Sequence, residues 1–437
     1  MKKTVLALLL SLFMLFGCAC SENSLGSVAI SPSSEPSESL EIIHNNSSEP
    51  SITNPDAAIT KKLGEGITAT TGFQTVSLKG KTAKTAADFS YNLFKNTYSD
   101  SKNALISPTS VMYALAMAAN GASGNTLSQI EAAFGTDRDT VNKYLRSYRS
   151  SLPKDDSTLS LSQSVWVNSQ CDVKNSFLKT NADYFGADIF SAPMNMSTVD
   201  EINRWVSDKT DGEIERALNR LSPNDLLVLV NATLFEGKWE TEYKDTAVRE
   251  GSFYNINSLK ANVNYLYSTE DIYISGEGFS GFVKPYAGER FAFAALLPSE
   301  DSSLSSLVSS LSGNELGTLI ENASRQEVSV AIPEFSIKCD TPLIEVLKKM
   351  GITDAFTSEA DFSDMTSEKV FLSGAEHKAS IKLNRHGTKA AATTTIVATK
   401  RAESVRKSVT LNRPFLYVIY DAEADMPAFI GAVTNLS

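Results

Sequence analysis

The 437-residue chain holds three histidines and four cysteines, the residue types on which most nucleophilic, acid–base and metal chemistry rests. His44 lies in a Ser/Pro/Glu-rich segment, which leaves His377 and His386 for the folded part. There is no H-E-x-x-H pair to hold a catalytic zinc, no G-x-x-x-x-G-K-[ST] loop to cradle a phosphate, and no G-x-S-x-G elbow to present a serine. The cysteines lack C-x-x-C spacing. Carboxylates are plentiful, but no spacing singles out an acid and a base, and such a pair can stand far apart in sequence. The reading is a binding or inhibitory protein, not an enzyme, and no metal or organic cofactor is implied.

A different kind of chemistry is suggested by residues 386–401, HGTKAAATTTIVATKR. No charge interrupts it between Lys389 and Lys400. It is too polar for a buried core strand and too rich in β-branched residues for a comfortable helix. It reads as an exposed loop with the composition of a strand that lacks a sheet.

The elements that must carry this loop follow from composition and patterning. Net charge is −11 and 42% of residues are apolar, enough for a large core. The acidic balance argues against nucleic acid as a partner. Length alone suggests two or three domains. Met1-Lys2-Lys3 and the apolar residues 5–16 read as a leader too short to span a membrane comfortably. Gly17-Cys18 resembles a bacterial lipoprotein cleavage box, with Cys18 the lipidated residue and Cys20 a rival. The expected divisions are a signal peptide over 1–17, a disordered Ser/Pro/Glu-rich tether over 18–77 and a folded domain over 78–437. The mature protein is then extracytoplasmic, lipid-anchored at the cell surface or secreted. Cys171 and Cys339 read as buried free thiols.

Residues 83–97 have the apolar period of a helix, with Ala86, Phe89, Leu93 and Phe94 on one side. Ser107-Pro108 opens a second helix stopped by Gly121, and a third ends at Gly135. Thr341-Pro342 opens another, ended by Gly351. Residues 226–235, 291–298, 328–337, 414–421 and 427–434 read as strands, the first covered on both faces. The class is α+β with several sheets. Lys143, Arg146 and Arg149 read as a solvated helix face.

The segments NALISPTSVMYALAMAANGASGNTLSQI, INRWVSDKTDGEI, LVNATLFEGKWE, IPEFSI, LKKMGITDAFTSEADFSDM, AEHKASIKLNRHGTKAAATTT and NRPFLYVIYD occur in the order of the serpin family. Over residues 80–437 the chain resembles a serpin, a bacterial lipoprotein-type member. The resemblance implies one domain of three β-sheets, eight or nine helices and an exposed reactive-centre loop. It implies a suicide-substrate inhibitor. A serine protease attacks the loop and forms a covalent acyl complex, and the cut loop enters the main sheet as a new strand. In the family the attacked bond lies about fourteen residues beyond the hinge glycine. Gly387 then points to Arg401–Ala402 and a trypsin-like target, with insertion of residues 388–400. Lys400–Arg401 is a second bond. Val397–Ala398 or Ala398–Thr399 would suit elastase-like or cysteine proteases. A non-inhibitory binding or chaperone module is a further alternative. The protein is expected to act as a monomer.

The residues permit insertion. Thr388, Ala390, Ala392, Thr394 and Ile396 form one uncharged face, whereas Lys389, Ala391, Thr393, Thr395 and Val397 form the other. No proline falls between Gly387 and Arg401, so every residue keeps its ladder donor. By resemblance, Arg385, Gly387, Thr388, Ala390, Ala391, Ala392 and Thr394 form the hinge. Ser107, Ser110, Asn231 and His377 match a polar network under the sheet, the shutter. Trp239, Glu334 and Arg385 match the breach, where insertion begins. Arg385 and Glu334 reverse the usual signs of two family positions that pair, so an Arg385–Glu334 ion pair is expected. Glu236, where the family commonly has lysine, has no explanation at this level. In some serpins a basic helix near 143–149 binds glycosaminoglycan.

Overall fold

A computed structural model describes residues 8–18, 60–63, 72–155, 157–388 and 407–437. Strands β1 (Leu8–Cys18) and β2 (Lys61–Lys62) precede α1 (Lys81–Thr97), β3 (Ala104–Ile106), α2 (Pro108–Ala119), α3 (Gly124–Phe134) and α4 (Arg138–Ser151). Next come β4 (Thr158–Asn168), α5 (Asn175–Phe185), β5 (Asp188–Ala192), α6 (Met196–Lys209) and β6 (Asp225–Lys238). Then follow β7 (Val248–Tyr254), β8 (Lys260–Gly276), β9 (Phe279–Pro285), β10 (Phe291–Pro298), α7 (Leu304–Ser310), α8 (Gly313–Glu321), β11 (Ser324–Pro333), β12 (Phe335–Pro342) and α9 (Ile344–Lys349). The last are β13 (Val370–Asn384), β14 (Gly387–Thr388), β15 (Lys407–Thr410), β16 (Phe415–Asp421) and β17 (Met426–Val433).

Local rules account for much of this. In α1 the residues Ala86, Phe89, Leu93 and Phe94 are buried. The Ser107 hydroxyl accepts from the Ser110 N–H at 3.3 Å, capping α2, and Pro108 fills its first turn. Every residue of α2 is buried, so it is an interior helix packed behind β6. Gly135 ends α3 with φ 72°. The apolar run of β6 is covered twice. Val228, Val230, Ala232 and Leu234 join the α6 cluster, while Leu227, Leu229 and Phe235 face the main core.

The strands form two hydrogen-bonded networks among the described residues. One runs β2–β5–β4–β6, then a central lane, then β13–β12. The other runs β15–β11–β8–β9–β10–β16–β17–β3, with β7 on β8. The third expected sheet is a sector of this second network. The first part of β8 pairs with β7 and β11 and its last residues with β9, so one strand serves both sectors.

Several expectations need revision. Residues 328–337 are two strands in different sheets. Pro333 and Glu334 carry the chain across, and the Glu334 N–H donates to the Asn264 carbonyl at 2.8 Å. Thr341 and Pro342 end β12, and the helix starts at Ile344, after one further residue. The folded body begins before residue 78. Lys61–Lys62 pairs with β5, the Val76 N–H donates to the Ser147 hydroxyl at 2.9 Å, and the Phe73 ring lies 5.5 Å from that of Tyr184. Cys171 and Cys339 are free thiols but only half-buried. The basic set on α4 is not one solvated face. Lys143 is exposed, but the Arg146 guanidinium lies 3.7 Å from the Phe73 ring centre and donates to the Asp183 carbonyl, and Arg149 is half-buried.

The expected leader has a place of its own. β1 lies in the central lane, antiparallel to both β6 and β13, which therefore run parallel to each other. Among the described residues no helix is long and apolar enough to cross a membrane.

Candidate functional site

The lane between β6 and β13 begins at a two-residue hairpin turn. Asn384 pairs with Gly387, and Arg385 and His386 form the turn. Gly387 has φ 131°, and a Cβ there would lie 2.1 Å from the Gly237 carbonyl oxygen. Only glycine tolerates this approach. Thr388 follows, paired with Leu383 on one side and Gly237 on the other. It is fully buried, with its hydroxyl 2.8 Å from that of Tyr286. Two residues of the hinge are thus threaded between β13 and β6.

Trp239 closes the entrance from the side of β6. Its backbone N–H donates to the His386 carbonyl at 3.2 Å and its indole N–H to the Asn384 carbonyl at 2.9 Å. The ring stacks on Tyr286 with centroids 4.6 Å apart. Below lies a buried ion pair, Lys284 to Glu270 at 2.9 Å, with the ammonium 4.7 Å from the Tyr243 ring centre. Such a pair is costly to break and so holds its surroundings in register.

The expected Arg385–Glu334 ion pair is not made. Glu334 accepts instead from the backbone N–H of Arg385 at 3.2 Å and from the Asn264 amide at 3.3 Å. The Arg385 guanidinium pairs with Asp245, and the adjacent His386 Nδ1 lies 2.9 Å from Glu242 Oε2. Both acidic partners sit on the segment after β6, which presents carboxylates closer to the turn's outward-facing side chains.

Halfway along the lane the four shutter residues meet. The Ser107 N–H donates to His377 Nε2 at 3.1 Å, and the Ser110 hydroxyl donates to Asn231 Oδ1 at 2.8 Å. Thr233 donates to the same oxygen at 2.9 Å. His377 and Asn231 are fully buried. Because Nε2 accepts, the neutral ring carries its proton on Nδ1. Burial pulls the imidazole pKa down from 6.5 to about 3. Among the described residues neither His377 Nδ1 nor Asn231 Nδ2 has a hydrogen-bond partner. Two orphan donors thus flank one point of the lane.

Residues Ala390, Ala391, Ala392, Thr394, Ala398, Thr399, Lys400, Arg401 and Ala402 lie outside the described residues. Cys18 is the last residue of β1. Sequence reasoning missed Tyr286, Glu242, Asp245 and the Lys284–Glu270 pair. Only Lys284 carried a signal, as a lone charge in the apolar strand FSGFVKP. No group of metal-binding side chains occurs among the described residues.

Residues 84–436 match the family model described as "Serpin (serine protease inhibitor)". The chain is 28% identical over 372 residues to Intracellular coagulation inhibitor 2 of Tachypleus tridentatus, covering 81% of this chain and 91% of that one. It is 26% identical to Neuroserpin of Mus musculus, over 79% of this chain and 88% of that one. Among solved structures, the thermophilic serpin Tengpin in its native state superposes with a TM-score of 0.80 at 37% identity, over 86% of this chain and all of that one. The same protein in its latent state gives 0.75 at 35% identity, over 83% of this chain.

Proposed function

The chain belongs to the serpin family, and on that premise we propose that it is a single-use inhibitor of extracytoplasmic, trypsin-like serine proteases. The protease attacks Arg401–Ala402, and residues 388–400 then enter the central lane as a strand. The observation that carries this reading is the threaded hinge, with Gly387 and Thr388 already paired to both banks of the lane.

Register supports the rest of the path. Continued from these two pairs, it sets Thr394 opposite both Asn231 and His377. One threonine hydroxyl can accept two hydrogen bonds, which suits the two orphan donors found there. The same register, continued by one residue, would set Lys389 opposite Glu236 and give that unexpected carboxylate a role. Thr388 is fully buried, so the uncharged face Thr388, Ala390, Ala392, Thr394 and Ile396 turns inward, and the Lys389 face turns outward. The span from Gly387 to Arg401 is about 46 Å when extended, roughly the height of a large sheet.

The proposal includes removal of residues 1–17 and lipidation of Cys18, which would take all of β1 except Cys18 out of the lane and hold a monomer at the cell surface. β1 itself supports insertion in kind, because the lane accepts an eleven-residue strand antiparallel to both neighbours.

The test incubates protein beginning at Cys18 with trypsin and with elastase. A trypsin complex that survives boiling in detergent is expected, with a released peptide beginning at Ala402. Cleavage without any covalent complex would overturn the inhibitor reading in favour of a binding role.

A further inference from the structure

Besides the bonds from the Arg385 N–H to Glu334 and from the His386 N–H to Asn384 Oδ1, four contacts that hold Arg385 and His386 come from the segment that follows β6. Two are backbone bonds, Trp239 N–H to the His386 carbonyl at 3.2 Å and Tyr243 N–H to the Arg385 carbonyl at 3.1 Å. The other two are side-chain pairs, Arg385 with Asp245 and His386 with Glu242. Together they tie the end of β13 to the segment leaving β6, across the mouth of the lane.

Of these four contacts only the last is made by an imidazole, the side-chain type used in pH-dependent contacts. Glu242 faces the ring at 2.9 Å, and both side chains are partly shielded, at 30% and 23% exposed. Arg385 beside it is neutralised by Asp245. Glu334 and Lys382 line the same cleft of about 510 Å³ as His386. Lys238 and Glu240, on the segment after β6 or its approach, are exposed and of opposite sign. Among the described residues the cleft holds one further cation, Lys382, and one further carboxylate, Glu334, so Glu242 is the group in direct contact with the ring.

We propose that His386 and Glu242 form a protonation-sensitive clasp that positions the hinge, holding Gly387 and Thr388 threaded more firmly in acid than at neutrality. With a neutral ring only the carboxylate is charged, whereas protonation makes the contact an ion pair with charge on both partners. His386 is a positioning residue, since its carbonyl and turn geometry transmit the effect to Gly387. The other histidine of the folded part, His377, is buried with its pKa pulled far below this range. The consequence for inhibition, a loop anchored more tightly at its N-terminal end in acid, rests on the inhibitor reading. The clasp itself does not.

The test is amide hydrogen exchange of residues 239–243 and 385–388 at pH 7.5 and 5.5, with labelling times adjusted for intrinsic exchange. Protein beginning at Cys18 is used, with no protease present. Protection should rise by about three-fold on acidification, the scale of one part-exposed ion pair. His386→Gln and Glu242→Gln should abolish the rise. His386→Lys, a permanent cation, should give the acidic level of protection at both pH values. All these side chains are partly exposed, and circular dichroism verifies the fold of each variant. An unchanged rise in His386→Gln, or no rise in the unaltered protein, would overturn the clasp. Absence of a protease complex with the rise intact would overturn only the inhibitor reading.

Discussion

Asn231 and His377 stand at one level on opposite banks of the central lane, both in register with Leu12 of β1. Leucine offers no polar side-chain atom, and among the described residues both His377 Nδ1 and Asn231 Nδ2 are without a partner. A buried orphan donor costs about 1–3 kcal/mol, so an occupant with an acceptor here is favoured over one without.

Under the proposed insertion Thr394 would be that occupant. Thr394→Val keeps the shape and removes the acceptor. The stability gained on loop cleavage should fall by about 1–3 kcal/mol, read as a lower denaturant midpoint of the cleaved variant. The intact variant should unfold like the unaltered protein. An equal gain in both would remove Thr394 from this role.

The same histidine predicts how stability depends on pH. Its pKa falls from 6.5 to about 3 on folding, so the unfolded chain binds the proton first. The contribution is fully present above pH 6.5 and is lost progressively as pH falls towards 3. The slope approaches about 1.4 kcal/mol per pH unit within that window. Thermal unfolding midpoints at pH 7 and 5 should differ in the unaltered protein. His377→Gln should reduce that difference after correction for its lower midpoint.

Gly387→Ala tests the hinge. A Cβ at φ 131° would meet the Gly237 carbonyl oxygen at 2.1 Å, and relief requires the turn to leave the lane. The variant should still be cleaved by trypsin but divert into covalent complex several-fold less often, measured as the ratio of complex to cleaved product. The local strain is about 1–3 kcal/mol, too little to unfold the domain.

How much of this was legible in the sequence depends on the range of the interaction. Periodicity and caps mark α1, Ser107 at the head of α2, Gly135 and β10, because those signals are local. The break at Pro333–Glu334 was marked by the proline alone, because two strands of different sheets abut there across a single residue, Glu334. The partner of Arg385 was hidden for another reason. Glu334, Glu242 and Asp245 all lie near the turn, and which carboxylate a long side chain reaches is set by backbone direction. Glu236 gains a reading only from the hinge pairs, whose register, if continued by the proposed insertion, would bring Lys389 opposite it.

The place of β1 gives a direct comparison. A chain that retains residues 1–17 holds its lane filled by β1, whereas one beginning at Cys18 does not. The longer protein should form little or no covalent complex with trypsin, and cutting its loop should add little heat resistance. The shorter one should do both. Equal behaviour of the two would mean that β1 leaves the lane at no appreciable cost.

The parallel run of β6 and β13 makes the gap between them read polarity. A strand meets the pattern of both margins in the antiparallel sense only when it travels one way, from the Trp239 end towards Asp225. A synthetic peptide of residues 388–400 and its retro-sequence share composition and hydrophobicity, yet only the forward one can place its hydroxyls and its two lysines as the loop would. Selectivity for chain direction, rather than for apolar content, is what would keep so open a sheet from accepting the wrong guests.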